Sequence, residues 1–154
     1  MPPEVAGLPA RPLTTGRGWT VRPGDGRAVA IGAGPVVLTQ LLRAADLLAD
    51  DGVDLTVVNL PWNNRVDQVW LSGLAADADW LFVVEDQYAR GGQADMLARE
   101  LLELCASPAP RFHGIGLTGI PQCGTEDEVL SAHGLRADVL AATVRDALSG
   151  NGDG

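Results

Sequence analysis

Short apolar runs alternate along this chain with longer stretches in which apolar residues recur every three or four positions. That alternation predicts a layered α/β domain. Residues 18–22 (GWTVR) read as a short strand stopped by Pro23 and Gly24, and 28–31 (AVAI) as a continuous apolar strand running into Gly32-Ala33-Gly34-Pro35. Pro35 stands where a first helical turn accepts it. From Val36 the spacing of Val37, Leu38, Leu41, Leu42, Ala45, Leu48 and Ala49 predicts a helix, with Gly52 as its stop.

Residues 55–60 (LTVVNL) and 80–84 (WLFVV) are short and apolar on both faces, so they belong in the centre of a mostly parallel sheet covered on two sides. Residues 112–117 make a weaker strand. Helical periodicity marks 67–75 and 93–105, the latter through Met96, Leu97, Leu101 and Leu104. Thr125 with Glu128 three positions later is a capping box, and Gly134 ends the helix it starts. A last helix is expected over 137–148. Outside this pattern, residues 1–17 hold four prolines among small and polar residues and read as a flexible linker or docking arm, while 149–154 read as a disordered tail. The domain proper is therefore 18–148.

Charge narrows the chemistry. The chain has 154 residues, and its eleven basic residues, all arginine, stand against twenty acids for a net −9. The absence of lysine removes a P-loop lysine and a Schiff-base lysine. The acidic balance disfavours nucleic acid and anionic membranes as partners. Cys105 and Cys123 fit no metal-ligand or disulfide spacing, no leader pattern or long apolar span is visible, and a reducing cytoplasm is the expected home.

Three stretches resemble the C-terminal domain of transketolase and its thiamine diphosphate relatives. IGAGPVVLTQLLRAADLLADDGVDLTVVNLP (31–61) is similar to the family's strand, glycine turn, helix and second strand. LFVVEDQYARGGQADMLARELLE (81–103) is similar to the V-V-V-E-[ED]-H-x-x-x-G-G-x-G segment and its helix, and GTEDEVLSAHGLRADVLAATVRDAL (124–148) to the closing pair of helices. All three occur in the family's order, and the closing segment is more like transketolase or deoxyxylulose phosphate synthase than the β chain of a 2-oxoacid dehydrogenase. The chain departs from the pattern at Trp62-Asn63-Asn64-Arg65-Val66-Asp67, where Pro-Leu-Asp is usual, at Gln87 in place of histidine, and at Gln93-Ala94 in the second glycine motif.

The resemblance implies a three-layer α/β/α domain around a mixed, mostly parallel sheet of about five strands with one antiparallel edge. It implies a subunit of a split transketolase-like enzyme, inactive alone, that contributes assembly and dimer geometry. Thiamine diphosphate and a divalent metal such as magnesium would sit on partner subunits carrying the pyrophosphate-binding and pyrimidine-binding domains, and none on this chain. Homodimerisation within that complex is a further expectation. The competing reading is a free-standing α/β module that binds a small anion or regulates, and a degenerate remnant of a fused enzyme is the third.

Several residues carry both a chemical and a structural reading. Gly24-Asp25-Gly26 with Asn59 or Asn63-Asn64 imitates a diphosphate-magnesium motif, but its place between two strands reads as a turn. Gly32-Ala33-Gly34 offers backbone N–H groups to an anion, or simply packs helix on strand. The loop Glu85-Asp86-Gln87-Tyr88-Ala89-Arg90-Gly91-Gly92 could hold a carboxylate pair or a hard cation. As structure, its acids cap the next helix, its glycines permit a close backbone approach, and Tyr88 and Arg90 have the character of interface anchors. The partner-interface reading is preferred for Glu85, Asp86, Gln87, Tyr88, Arg90, Gly91 and Gly92, joined by Trp62, which is expected to be exposed unless something covers it. Cys123 with His113 or His133 could be imagined as nucleophile and base, although nothing nearby would lower the thiol pKa. Trp80 is expected in the core.

Overall fold

The computed structural model describes residues 11–104 and 108–150. Its elements in chain order are strands β1 (Trp19–Arg22) and β2 (Ala28–Gly32), helix α1 (Gly34–Asp50), β3 (Leu55–Asn59), α2 (Gln68–Ala75), β4 (Trp80–Tyr88), α3 (Gln93–Leu104), β5 (Arg111–Leu117), α4 (Glu126–Ala132) and α5 (Ala137–Ser149). The sheet order is β1-β3-β2-β4-β5. Every pairing is parallel except β1 with β3, so the sheet is mixed with one antiparallel edge, as the family resemblance implies.

Strand periodicity divides the core into two layers. In β2 and β4, Ala28, Ala30, Phe82 and Val84 face one side, packed with α1, α4 and α5 through Leu41, Leu48, Leu130 and Val144. Their neighbours Val29, Ile31, Leu81 and Val83 face the other, against Leu71 of α2 and Leu97 of α3. Because successive side chains on a strand point to opposite faces, a strand needing a helix layer on both sides must be apolar throughout, which is how AVAI and LFVV are written.

The chain leaves β2 through α1 to β3 on one side, then crosses back through α2 to β4 on the other. That reversal opens a crevice at the carboxyl ends of β2 and β4, where sheets of this type place their ligands.

Local signals in the sequence are used as written. Thr125 and Glu128 form the capping box, with Thr125 N–H donating to Glu128 Oε2 at 2.9 Å. Asp67 caps α2 by accepting from Trp70 N–H at 2.8 Å. Two expectations change. Trp80 is half-buried at the margin of its layer, stacked on Phe82 at 5.3 Å with the Arg111 guanidinium 5.6 Å from its ring centre. It opens β4 at the amino edge of the sheet. Residues 14–17 of the expected arm lie on the domain: Asp67 N–H donates to Gly16 O at 2.8 Å, and Arg17 Nε to Asp67 Oδ2 at 3.1 Å. Residues 1–10, Cys105 and 151–154 fall outside the described residues. No described helix is long and apolar enough to cross a membrane.

Candidate functional site

The sequence predicts a loop over 85–92, after a strand ending at Val84. The structure corrects this: β4 continues to Tyr88, which pairs with Leu117 of β5 after an irregularity in the register. The polar residues Glu85-Asp86-Gln87 hide the extension, because the backbone of β5, rather than side-chain burial, sustains it.

Extension of the strand separates the two acids. Glu85 is buried at 7% exposure while Asp86 is exposed. Both border one cavity at the ends of β2 and β4, but the Glu85 carboxylate is engaged by backbone N–H groups. Glu85 instead takes the N-terminus of α3: Gln93 N–H donates to its Oε2 at 2.9 Å and Ala94 N–H to its Oε1 at 3.2 Å. A buried carboxylate is held there by two charge-assisted bonds and by the positive end of the helix dipole.

The arrangement needs Gly92. A Cβ on that residue would overlap the Glu85 carboxylate, lying 2.5 Å from Cδ and 2.6 Å from Oε1. Gln93, almost fully buried, then sends its Nε2 to Leu60 O at 2.8 Å and Trp62 O at 3.0 Å, fastening the loop after β3 to the start of α3. Sequence reasoning missed this role for Gln93; the available signal was a polar residue at the head of an otherwise apolar helix face.

Trp62 is half-buried, because its Nε1 donates to Thr14 O at 3.0 Å and the arm lies beside it. The Arg65 guanidinium is 5.8 Å from the ring centre. Thus Glu85, Gln93 and Trp62 form one connected brace, while Asp86, Gln87, Tyr88 and Arg90 remain on the surface.

Ala33 and Gly34 border the crevice between β2 and β4, a cavity of about 220 Å³ shared with Asn63, Glu85, Asp86, Gln87 and Gln93. A Cβ on Gly32 would lie 2.6 Å from Val37 Cγ1 and 2.9 Å from Leu41 Cδ1, so this glycine lets α1 sit against the strand end. The helix carries no side-chain cap at Ala33. With the acidic residues Glu85 and Asp86 both bordering it, the crevice is poorly matched to a further negative charge.

Gly24-Asp25-Gly26 and Asn59 do not come together as a diphosphate-metal motif. Gly24-Asp25-Gly26 forms the turn between β1 and β2, with Asp25 Oδ1 accepting from Arg27 N–H at 2.9 Å. It lies against Thr56 near the amino end of β3, with Gly26 N–H donating to Thr56 Oγ1 at 3.2 Å, while Asn59 is three residues further along the strand, about 10 Å away. Among the described residues, no group of three or more His, Cys, Asp and Glu could hold a metal ion. Cys123 is exposed, and the nearby His133 Nε2 accepts from Gln122 N–H at 3.2 Å. The His113 ring stands 6.3 Å from that of Phe82.

Residues 18–140 match the family model described as transketolase, C-terminal domain. The chain belongs to the transketolase C-terminal domain family. Over 138 residues, 87% of the chain, it is 28% identical to 1-deoxy-D-xylulose-5-phosphate synthase 2 of Geobacter sulfurreducens. It is also 27% identical over 115 residues, 75% of the chain, to one subunit of the apulose-4-phosphate transketolase of Actinobacillus succinogenes. A solved structure described as a split gene transketolase, inactive beta4 tetramer, superimposes with a TM-score of 0.81 over 96% of the chain at 25% identity. The chain spans 21% of the synthase, 37% of the apulose-phosphate enzyme's subunit and 47% of the solved split-gene chain. Membership in this transketolase family accounts for the sheet order and the antiparallel edge.

Proposed function

We propose that the chain is a non-catalytic subunit of a split transketolase-like enzyme. Partner chains bearing the pyrophosphate-binding and pyrimidine-binding domains would hold thiamine diphosphate with magnesium and carry out transfer of a two-carbon ketol unit. The cofactor supplies a stabilised carbanion when bound there. This chain contributes a rigid scaffold and a docking surface formed by residues 85–92, with Trp62 bracing it from behind.

The observation that carries the reading is the likeness to a split-gene transketolase chain over nearly the whole of this domain. Its support from the site is that the conspicuous carboxylate, Glu85, is spent on capping α3 rather than directed at a reacting atom.

The test is reconstitution with the chain that carries the two thiamine domains, from the same source. The expected result is no ketol transfer from a ketose phosphate by either chain alone, and transfer in the presence of thiamine diphosphate and magnesium once both are mixed. Turnover by this chain unaided, or full activity of the other chain without it, would refute the reading.

A further inference from the structure

The side chain of Gln93 is 2% exposed, yet only half of its amide is used. Nε2 gives its two hydrogens to Leu60 O at 2.8 Å and Trp62 O at 3.0 Å, and two carbonyl partners fix which way round the amide lies. Oε1 is thereby turned away from those carbonyls, and among the described residues no donor reaches it. Gln93 borders the crevice of about 220 Å³ at the carboxyl ends of β2 and β4, which is the space open to that oxygen. An amide oxygen buried without a donor is costly, so the crevice calls for an N–H or O–H group.

The acids beside it call for the same. Each oxygen of the buried Glu85 carboxylate accepts a single N–H, from Gln93 and from Ala94, which leaves further lone pairs on both. Asp86, also bordering the crevice, has no hydrogen-bond or ion-pair partner among the described residues. We propose that this crevice binds a small primary amine in its ammonium form, with Gln93 Oε1 and the Glu85 and Asp86 carboxylates as acceptors and a neighbouring hydroxyl of the same molecule at the start of α1.

Charge and donor count select that ligand. An ammonium brings three donors and one positive charge to three acceptors of which two are carboxylates. A bare divalent cation would want six or more oxygens, and among the described residues no group of three or more His, Cys, Asp and Glu could hold a metal ion. An anion would meet both acids. Gly34, the first residue of α1, borders the same crevice, and its N–H has no partner among the described residues. That group needs an oxygen acceptor, which a hydroxyl supplies without a second negative charge. The inference stands on the crevice alone and does not depend on the subunit reading.

The test is titration of the full chain, labelled with nitrogen-15, at neutral pH and fixed ionic strength, followed by amide resonances. The probes are ethanolamine, propylamine of the same number of non-hydrogen atoms without the hydroxyl, and tetramethylammonium, which has the charge but no N–H. Ethanolamine is expected to shift the Gln93 side-chain amide and the backbone amides of Gly34, Glu85 and Asp86 saturably, with a dissociation constant in the millimolar range set by so few ligand atoms. Propylamine should bind about threefold more weakly, and tetramethylammonium should leave the Gln93 amide unmoved. Asp86→Asn removes one exposed charge and should weaken ethanolamine about threefold to fivefold with unfolding unchanged. That variant carries the test because Gln93→Leu also strips two carbonyls of their donor and costs stability. Shifts scattered over exposed acids elsewhere, an equal response to tetramethylammonium, propylamine binding as tightly as ethanolamine, or Asp86→Asn binding as tightly as the parent would each overturn the proposal.

Discussion

Replacing Gly92 with alanine places a methyl group where the Glu85 carboxylate now lies. Gly92 is not among the glycines with positive φ, so alanine meets no backbone strain there and the effect is purely one of space. Glu85 Oε1 is 2.6 Å from the position of the new Cβ, and ordinary contact begins near 3.4 Å. The carboxylate must therefore retreat by roughly an ångström, more than bonds of 2.9 and 3.2 Å to Gln93 and Ala94 survive. Two hydrogen bonds to a charged group are lost, at about 1.5–3 kcal/mol each, so Gly92→Ala is expected to cost about 3–5 kcal/mol. Urea unfolding followed by far-ultraviolet circular dichroism would measure it, with the denaturant slope unchanged if only stability is affected. The sharper observable is coupling. In a Glu85→Ala background the obstruction has gone, and Gly92→Ala should then cost less than about 1 kcal/mol. Additive costs in the double variant, or a loss below about 1 kcal/mol from Gly92→Ala alone, would refute the account of how α3 is capped.

Gln93→Leu preserves bulk but leaves the carbonyls of Leu60 and Trp62 without their donor. It should destabilise the domain by about 1–3 kcal/mol in the same assay and increase the solvent quenching of tryptophan emission as Trp62 loosens. Two carboxylates, half-buried Asp67 and exposed Glu128, contribute to the acid limb of stability. Asp67 is held below the usual carboxylate range first by the Trp70 N–H and then by Arg17, against an opposing effect of burial, and Glu128 by the backbone and then the hydroxyl of Thr125. A depressed pKa in the folded state means that both contribute stability above the ordinary carboxylate pKa and lose it as pH falls through the lower folded value. Asp67→Ala combined with Glu128→Ala should therefore lower the melting temperature at about pH 7 and reduce its further fall between about pH 5 and about 2.5; an unchanged acid slope in a melting series would contradict this.

What the residues reveal directly is whatever depends on local spacing. The apolar runs at Ala28, Leu55 and Trp80 locate the inner strands, and Thr125 with Glu128 locates a helix start, since each signal is complete within a few positions. The features that escape local reading depend on a distant partner. Glu85, Asp86 and Gln87 look like loop because their polarity is unsuited to a core, yet Leu117 of β5 holds them in a strand. Trp62 looks bare among its asparagines because the cover comes from Thr14, 48 positions earlier. Gln93 looks like a degraded glycine motif because its two acceptors lie more than thirty positions upstream. The surface position of Tyr88 and Arg90 was legible by residue type, whereas the separation of Glu85 from Asp86 required the strand itself.

The bonds running from Thr14 to Trp62, from Trp62 to Gln93 and from Gln93 to Glu85 make a mechanical linkage between the incoming polypeptide and the far corner of the sheet. Tension applied ahead of Thr14 would be transmitted along it to the root of α3, so the strap and the start of that helix are the two ends of a single lever. Removing the indole nitrogen's grip on that strap, as in Trp62→Phe, would uncouple those ends while leaving an aromatic ring in place.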